Sequence, residues 1–316
     1  MAGDQQGLEQ VSRPVAAVVC IPTFRRPDWL ARTLASVIAQ RTDFCFALVV
    51  VDNDAAGSEG AKKATALLSS SAIPHRILIE PDQGNVHAIN RAFTEAQAAF
   101  PEAEFFLMID DDEMAMPGWL AAIVATAQKQ DADIVGGPVR REFDVPVPDA
   151  IARHPLFVSI EGATRAIDQI HGSGNCLIRR RVFAQMGQPP FDVSFNFLGG
   201  GDMEFFTRSK RAGFSTWWCQ EAVVHEFVPA ERVSARFLLK RSIRTGSINY
   251  VIDRMEQPAG RVLVKNIGSL GLGFFRSFGL LLRTGSLLGA SHPFLMSVGR
   301  VVASFGVLPQ PYKASR

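Results

Sequence analysis

Short apolar runs that end at polar residues are the feature that most limits the folds open to this chain. Between successive runs, apolar residues recur at the spacing of an amphipathic helix, as they do after Pro27. This alternation predicts an α/β fold in which a doubly wound, mostly parallel sheet is covered by helices on both faces. The runs assigned to strands are residues 15–21, 46–51, 76–79, 104–109 and 133–135.

Polar side chains gather just beyond the predicted strand ends. Ligands of such sheets bind at the carboxyl ends of the strands, where the loops of neighbouring strands meet. The sequence therefore places a candidate binding site at one edge of the sheet. The residues at these positions are Thr23, Asp52, Asp82 and Asp110–Asp112.

Composition divides the chain into an acidic body and a basic C-terminal part. Residues 1–230 carry 20 Lys and Arg against 28 Asp and Glu, whereas residues 231–316 carry 13 against three. With 316 residues, of which 47% are hydrophobic, the chain has enough apolar material for a sizeable core, which excludes a disordered protein. Its four cysteines lack CxxC spacing and indicate reduced, buried thiols. We expect a disordered N-terminus at 1–14, a catalytic domain at 15–230 and a basic, amphipathic helical extension at 231–316.

The extension is predicted to associate with a membrane without crossing it. A spanning helix needs about 20 apolar residues, and charges interrupt every apolar stretch after residue 231 before that length. Residues 1–13 also lack the apolar segment of a secretory signal. Because no Asp or Glu follows Glu256, the extension suits an anionic lipid surface. The alternative is an ordinary helical subdomain folded against the catalytic body.

Four acidic residues in succession, Asp110 to Glu113, follow the fourth predicted strand. Adjacent carboxylates repel one another, and at a strand end in a packed domain that repulsion requires a cation to offset it. Hard oxygen ligands suit Mg²⁺ or Mn²⁺, with phosphates completing the coordination. The alternative is a solvated acidic turn. The strand before the acids and the Pro117-Gly118-Trp119 helix start after them favour the metal site.

Six segments in order resemble the family 2 glycosyltransferases of the GT-A fold. Among these, the chain is most similar to bacterial exopolysaccharide enzymes of the succinoglycan glucosyltransferase type. The resemblance covers roughly residues 15–246. The segments are VVCIPTFRRPDWLARTLASVIAQ, VVVDND, GN…AINRAF, FFLMIDDDEMAMPGWL, GGGDMEFFTRSKRAGF and VVHEFVPAERV…RSIRTG.

The resemblance implies a nucleotide-sugar donor and a divalent cation. Asp110 and Asp112 would form the DXD motif that holds Mg²⁺ or Mn²⁺ against the donor diphosphate, with His225 completing the metal site or serving only structure. Asp52 would accept the imino N–H of uracil, or act as a turn or cap residue. Arg241 and Arg244 would clamp phosphates, or form a solvated basic face. The remaining positions implied to bind the donor are Pro22, Thr23, Arg25, Asn53, Gly84, Asn85 and Asp111.

The resemblance further implies that Asp202 is the general base of an inverting, in-line displacement. The alternative for Asp202 is the N-cap of the helix that it opens. Two positions depart from the family pattern: Gly201 stands where relatives carry an acid, and Ile89 where they often carry an arginine. His87 or Arg91 would substitute for that arginine, or lie at the surface.

The sequence thus predicts a metal-dependent, inverting hexosyltransferase. It would move sugar from a UDP-sugar to a polyprenyl-diphosphate-linked saccharide at the cytoplasmic face of the membrane. The HGSGN segment, from His171 to Asn175, either lets the backbone approach the donor sugar or forms a simple turn. One rival function is a sugar-phosphate nucleotidyltransferase, although the loop after the first strand lacks glycine. The other is an inactive sugar-nucleotide-binding scaffold. Nucleic acid is not an expected partner, because aromatic stacking residues are scarce among the basic ones.

Overall fold

The structure is a computed structural model that describes residues 14–170 and 172–308. The predicted disordered N-terminus lies outside the described residues except for Pro14, and His171 also lies outside them. The strands of the described part are β1 (Val15–Thr23), β2 (Cys45–Asp52), β3 (His75–Ile79), β4 (Phe105–Ile109), β5 (Glu113–Ala115), β6 (Ile134–Gly136), β7 (Val139–Phe143), β8 (Arg165–Ala166), β9 (Asn175–Arg179), β10 (Thr216–Trp218) and β11 (Val224–Val228).

Helices follow most strands of the body and then make up the C-terminal part of the chain. They are α1 (Pro27–Ile38), α2 (Glu59–Leu68), α3 (Asn85–Ala99), α4 (Trp119–Lys129), α5 (Asp149–Ala152), α6 (Arg180–Met186), α7 (Gly201–Arg211), α8 (Ala235–Glu256), α9 (Ala259–Thr284), α10 (Leu287–Ala290) and α11 (His292–Ser304). Two 3-10 turns lie at Val193–Phe195 and Ala230–Arg232.

The main sheet has the order β3-β2-β1-β4-β9-β6-β10-β8. Strands β3, β2, β1 and β4 are parallel, β9 is antiparallel to both of its neighbours, and β8 runs antiparallel to β10. The continuous apolar runs predicted for β1, β2 and β4 are buried, as expected for strands covered on both faces. One core layer lies under α1, α2 and α4, and the other under α3, α6 and α7. The predicted fold class is therefore confirmed.

A second, three-stranded sheet has the order β5-β11-β7, and the sequence patterns did not reveal it. Its strands are three to five residues long, which is too short for a clear alternation of apolar and polar residues. The helix predicted to begin at Pro117 begins at Trp119, because Gly118 with φ 83° provides the turn before it. The small sheet matters for function because β5 begins at the last residue of the acidic segment.

The first C-terminal helix packs against the catalytic body. In α8, Ile248 and Ile252 lie in one apolar cluster with Phe195 and Leu198. This contact fits the alternative considered above, a helical subdomain folded against the body.

The last helix, α11, packs closely on α8 through two glycines. A Cβ added at Gly246 would lie 1.8 Å from the carbonyl oxygen of Met296, and one at Gly299 would lie 1.9 Å from that of Ile243. Such distances show backbone in direct contact with backbone. The two helices therefore form one unit with each other and, through α8, with the body.

Helix α9 is different, because one of its faces is apolar and exposed. No helix among residues 14–170 and 172–308 combines the length and hydropathy needed to cross a membrane. Along α9, Leu263, Ile267, Phe274 and Phe278 recur every four or seven residues and so lie on one side of the helix. The large apolar residues exposed on α9 are Leu263, Val264, Ile267, Leu272, Phe274, Phe275, Phe278 and Leu282. Its basic residues are Arg261, Lys265, Arg276 and Arg283.

Candidate active site

Two threonines hold the acidic segment at the carboxyl edge of the sheet. Strands β1 and β4 are neighbours, so the loop after β1 meets the loop after β4. The Thr23 hydroxyl donates a hydrogen bond of 2.7 Å to Oδ2 of Asp111. From α1, the Thr33 hydroxyl lies 2.9 Å from the carbonyl oxygen of Asp111 and 2.7 Å from that of Glu113. The acidic loop is therefore fixed through both its side chains and its backbone.

The acids form a concentrated negative cluster. Burial is the largest cause of a pKa for the Asp110 carboxyl that lies well above its ordinary value. Burial likewise raises the pKa of Glu113, with the charge of Asp110 as the next cause. Such carboxylates stay ionised at neutral pH only if positive charge comes close to them. The other carboxylates that raise the pKa of Asp110 are Asp112, Asp111, Glu226 and Asp202.

Gly174 allows its own backbone to lie against this cluster. A Cβ at this position would come within 2.5 Å of Oε1 of Glu113 and 2.9 Å of Oδ2 of Asp110. The next residue, Asn175, accepts a hydrogen bond of 2.8 Å from Nε1 of Trp119. The segment thus needs a glycine because backbone approaches the acids, a reason that the sequence did not reveal.

Two arginines that the sequence analysis did not single out balance part of this charge. Nη1 of Arg26 lies 3.1 Å from Oδ1 of Asp111 and 2.8 Å from Oδ2 of Asp112. Nη1 of Arg232 lies 3.8 Å from the same Asp112 oxygen and 3.8 Å from Oε1 of Glu226. Burial raises the pKa of Asp111, against the lowering effect of Arg26 and Thr23.

Asp202 lies in the first turn of α7, close enough to the acids for its charge to raise the pKa of Asp110. It is not the N-cap, because that position belongs to Gly200 with φ 85°; the Asp202 carboxylate accepts 2.9 Å from the backbone N–H of Met203. A Cβ at Gly200 would lie 2.4 Å from Cγ2 of Ile248. Helix α8 therefore closes over the start of α7. At Gly201 a Cβ would lie 3.0 Å from Cγ2 of Val86, so a larger side chain there would require Val86 to shift.

The side chain that β11 directs toward the acids is Glu226. Its charge acts on both Asp110 and Glu113, and it pairs with Arg141 at 3.0 Å. Neighbouring residues of a strand point to opposite faces. His225 accordingly faces away and contacts Glu142 on β7 through Nδ1. The expectation that His225 completes the metal site therefore has no support in this arrangement.

The donor set of the cluster fits a hard divalent cation, although its present geometry is not that of a formed metal site. Within residues 14–170 and 172–308, no three or more His, Cys, Asp or Glu residues are arranged so that they could hold a metal ion. Asp110 and Asp112 supply carboxylate oxygens, which Mg²⁺ and Mn²⁺ prefer. The cluster also has an excess of negative charge around Asp110. However, Oδ2 of Asp112 already forms an ion pair of 2.8 Å with Nη1 of Arg26.

The second strand ends in residues that fix loops. Asp52 is fully buried, and its carboxylate accepts hydrogen bonds from the backbone N–H groups of Asp54 (3.0 Å) and Ala61 (2.9 Å). These contacts are those of the alternative role, a turn residue that also caps α2, so the uracil contact of Asp52 stays a prediction. Asn53 accepts 2.6 Å from the N–H of Gly84 and donates 2.8 Å to the carbonyl of Asp82.

The remaining predicted donor-binding residues lie near the end of β1 and at the start of α3. Arg25 has φ 56° and pairs with Asp54 at 3.2 Å, while Pro22 before it is buried. Asn85 is exposed at the start of α3. Gly84, with φ 133°, is required there because a Cβ would lie 2.0 Å from the Asn196 side chain.

The other predicted positions lie on α8 and α3. Arg241 is exposed and Arg244 is half-buried; Arg244 lies one turn before Ile248 and so shares the face that packs over the start of α7. Ile89 is buried in the core under α3. This position therefore belongs to the hydrophobic core. His87 is half-buried and Arg91 is exposed, and their predicted role remains a prediction.

These features define an α/β fold with an acidic site where the loops after β1 and β4 meet, and comparison with known proteins identifies its family. The sequence profile described as Glycosyl transferase family 2 matches residues 18–187. The chain belongs to this family and is a glycosyltransferase.

Individual relatives extend the match. The succinoglycan biosynthesis protein ExoM of Rhizobium meliloti (strain 1021) is 30% identical over 227 residues, which cover 71% of each chain. The mannosyltransferase PcManGT from Pyrobaculum calidifontis, solved with GDP-Man and Mn²⁺, superposes with a TM-score of 0.58 at 15% identity, over 95% of this chain and 78% of that one. S. aureus TarS 1–349 in complex with UDP gives 0.52 at 12% identity, over 93% and 92%. At these identities the structural likeness shows the fold.

Proposed function

We propose that the protein is an inverting hexosyltransferase that depends on a divalent cation and extends a lipid-linked saccharide in exopolysaccharide synthesis. The observation that carries this proposal is the approach of the start of α7 to the end of β4, which brings the charge of Asp202 to Asp110. A candidate base and a candidate metal-binding acid thus share one site. The name of ExoM supports the polysaccharide pathway, and the ligands named for the two solved structures support a nucleotide-sugar donor.

Each residue has a separate task in the proposed reaction. Asp110 and Asp112 would hold Mg²⁺ or Mn²⁺, which supplies positive charge for the diphosphate leaving group. Asp202 would accept the proton of the acceptor hydroxyl as its oxygen attacks the anomeric carbon from the side opposite the diphosphate. Thr23 and Thr33 keep the acids in place, so that the site needs little reorganisation during the reaction.

Substitution of Asp202 tests this assignment. UDP release from a UDP-sugar with a saccharide acceptor is measured with and without Mn²⁺, for the wild type, Asp202→Asn and Asp168→Asn. Loss of a general base lowers the rate about 10²- to 10⁴-fold. Asp168 is a matched control, because it is exposed and pairs only at the surface with Lys210. If Asp202→Asn turned over at the wild-type rate, Asp202 would not be the general base. If the wild type reacted equally fast without any divalent ion, the transfer would not depend on a metal. The same assay with GDP-sugars and dTDP-sugars identifies the nucleobase of the preferred donor.

We also propose that the exposed face of α9 binds the cytoplasmic surface of the membrane, where a polyprenyl-diphosphate acceptor resides. Phe275 is 71% exposed and Leu282 73%, and the basic residues of α9 flank this apolar face. An amphipathic helix of this kind lies in the interface, and each basic residue near an anionic surface contributes about 1 kcal/mol.

Vesicle sedimentation tests the membrane proposal. The protein should bind phosphatidylglycerol vesicles and bind phosphatidylcholine vesicles weakly. Phe275→Glu should abolish most binding, since it places a charge within the apolar face. Leu67→Glu is the control, because Leu67 is 37% exposed on α2, a helix of the catalytic body that packs on α1, β2 and β3. Equal binding by the two variants would exclude α9 as the docking surface.

A further inference from the structure

Arg26 forms ion pairs with two of the four acids of the cluster. Its Nη1 atom lies between Oδ1 of Asp111, at 3.1 Å, and Oδ2 of Asp112, at 2.8 Å. Arg232 approaches the same Asp112 oxygen to 3.8 Å. Asp110 makes no ion pair with either arginine in the described part of the chain. The acids are therefore neutralised on one side and left with excess negative charge on the other.

We propose that Arg26 is a positioning residue that exchanges partners during donor binding. Without donor, it neutralises Asp111 and Asp112. When a divalent cation and a nucleoside diphosphate enter together, its guanidinium leaves Asp112 to the cation and turns to the diphosphate. This proposal rests on the proposed metal-dependent transfer.

Electrostatics requires one of the two cations to leave. Mg²⁺ binds a carboxylate oxygen at about 2.0–2.1 Å. A guanidinium nitrogen 2.8 Å from the same oxygen would then lie beside a divalent charge. The incoming diphosphate provides the guanidinium with a new anionic partner, to which arginine binds through two parallel hydrogen bonds.

The surrounding structure lets the side chain move while its anchor stays. The Arg26 side chain is 36% exposed, so one side of it is open to solvent. Its backbone is fixed as the N-cap of α1, where its carbonyl accepts 3.0 Å from the N–H of Leu30. Thr23 continues to hold the Asp111 carboxylate when Arg26 leaves it. The exchange therefore needs only a side-chain rotation.

The exchange has two consequences for the reaction. Metal alone competes with Arg26, whereas metal with diphosphate does not, so the cation and the donor should bind cooperatively. When the bond to the sugar breaks, the departing nucleoside diphosphate gains a negative charge. The guanidinium that has moved to the diphosphate then stabilises that charge.

Binding of Mn²⁺, measured from the electron paramagnetic resonance signal of the free ion, tests the exchange. The nucleotide is UDP, GDP or dTDP, whichever the wild type binds most tightly. We expect Arg26→Met to bind Mn²⁺ alone about tenfold more tightly than the wild type, because one charged competitor is lost. Its affinity for the nucleotide in the presence of Mn²⁺ should fall about tenfold, because a charged phosphate contact is lost. Arg26→Lys should fall between the wild type and Arg26→Met in both measurements.

Lys63→Met is the matched control, because it removes one positive charge from an exposed pair with Asp28 and should change neither affinity. A variant Arg26→Met that binds Mn²⁺ alone no more tightly than the wild type would overturn the exchange, as would an unchanged nucleotide affinity. Losses in both measurements would mean that Arg26 only organises the carboxylates. A wild type that binds no Mn²⁺ with any of the three nucleotides would overturn the metal-dependent function, and the exchange with it.

Discussion

Replacement of Gly246 by alanine should unfold the C-terminal helices at lower temperature, although alanine is the better helix former. Gly246 lies within α8, where alanine gains about 1 kcal/mol over glycine in helix propensity. Its Cβ would lie 1.8 Å from the carbonyl oxygen of Met296 and 2.6 Å from the carbonyl carbon. A relaxed contact between carbon and oxygen is about 3.3 Å or longer. The two helices must therefore separate by about 1.5 Å at this point.

The size of the effect follows from these opposing contributions. Overpacking costs about 1–3 kcal/mol, and a clash with backbone belongs at the upper end, because a main chain cannot change rotamer. We expect a net loss of about 2 kcal/mol, or a fall of about 4–8 °C in Tm at about 2–4 °C per kcal/mol. Thermal unfolding followed by circular dichroism measures this shift.

Gly271→Ala is the matched control. Gly271 also lies inside a helix, α9, and a Cβ there has no neighbour within 4 Å. The propensity gain of about 1 kcal/mol then stands alone, and Tm should rise by about 2–4 °C. The reasoning would be refuted if Gly246→Ala were as stable as the wild type, or if both variants moved Tm in the same direction.

Three further changes have defined outcomes. Burial, and then the charge of His292, lower the pKa of His154 from 6.5 to about 4. Only the unfolded chain takes up this proton between those pH values, so the free energy of unfolding should fall by up to about 3 kcal/mol as pH decreases from 6.5 to 4. Urea unfolding of His154→Gln should lack this part of the pH dependence. Gly174→Ala should lower the transfer rate at least about tenfold by pressing on Glu113, whereas Gly260→Ala, which has no neighbour within 4 Å, should keep the wild-type rate. Thr33→Val should cost about 2 kcal/mol in urea unfolding, since it removes the one hydroxyl proton that two buried carbonyl oxygens share; an unchanged midpoint would contradict this.

The fold was predictable wherever the signal was local. The runs that became β1, β2 and β4 are apolar throughout, and only a strand covered on both faces needs that composition. The small sheet gave no such signal, because β5 has three residues and its partner β11 lies more than 100 residues away in sequence. Pairing over that separation depends on the folded body and leaves little trace in either segment.

The candidate site was predictable as a location and less so as a set of contacts. The charges of Asp112, Asp111 and Asp202 all raise the pKa of Asp110, while the roles that the resemblance gave to these acids stay predictions. For His225 the resemblance gave a role, but the alternation of β11 directs the adjacent Glu226 to the acids instead. Arg26 was visible only as the second arginine of the loop after β1, and a pattern of residue types does not tell which carboxylate an arginine contacts.

The alternation along β11 also limits how this site can change in evolution. A strand presents every second residue to one side, so insertion of a single residue before β11 would move His225 into the place of Glu226 and turn Glu226 to the opposite face. Such a step would replace a carboxylate by an imidazole and remove one negative charge from the edge of the cleft. One codon gained in a surface loop would thus change the charge beside Asp110 while leaving every active-site side chain in the sequence.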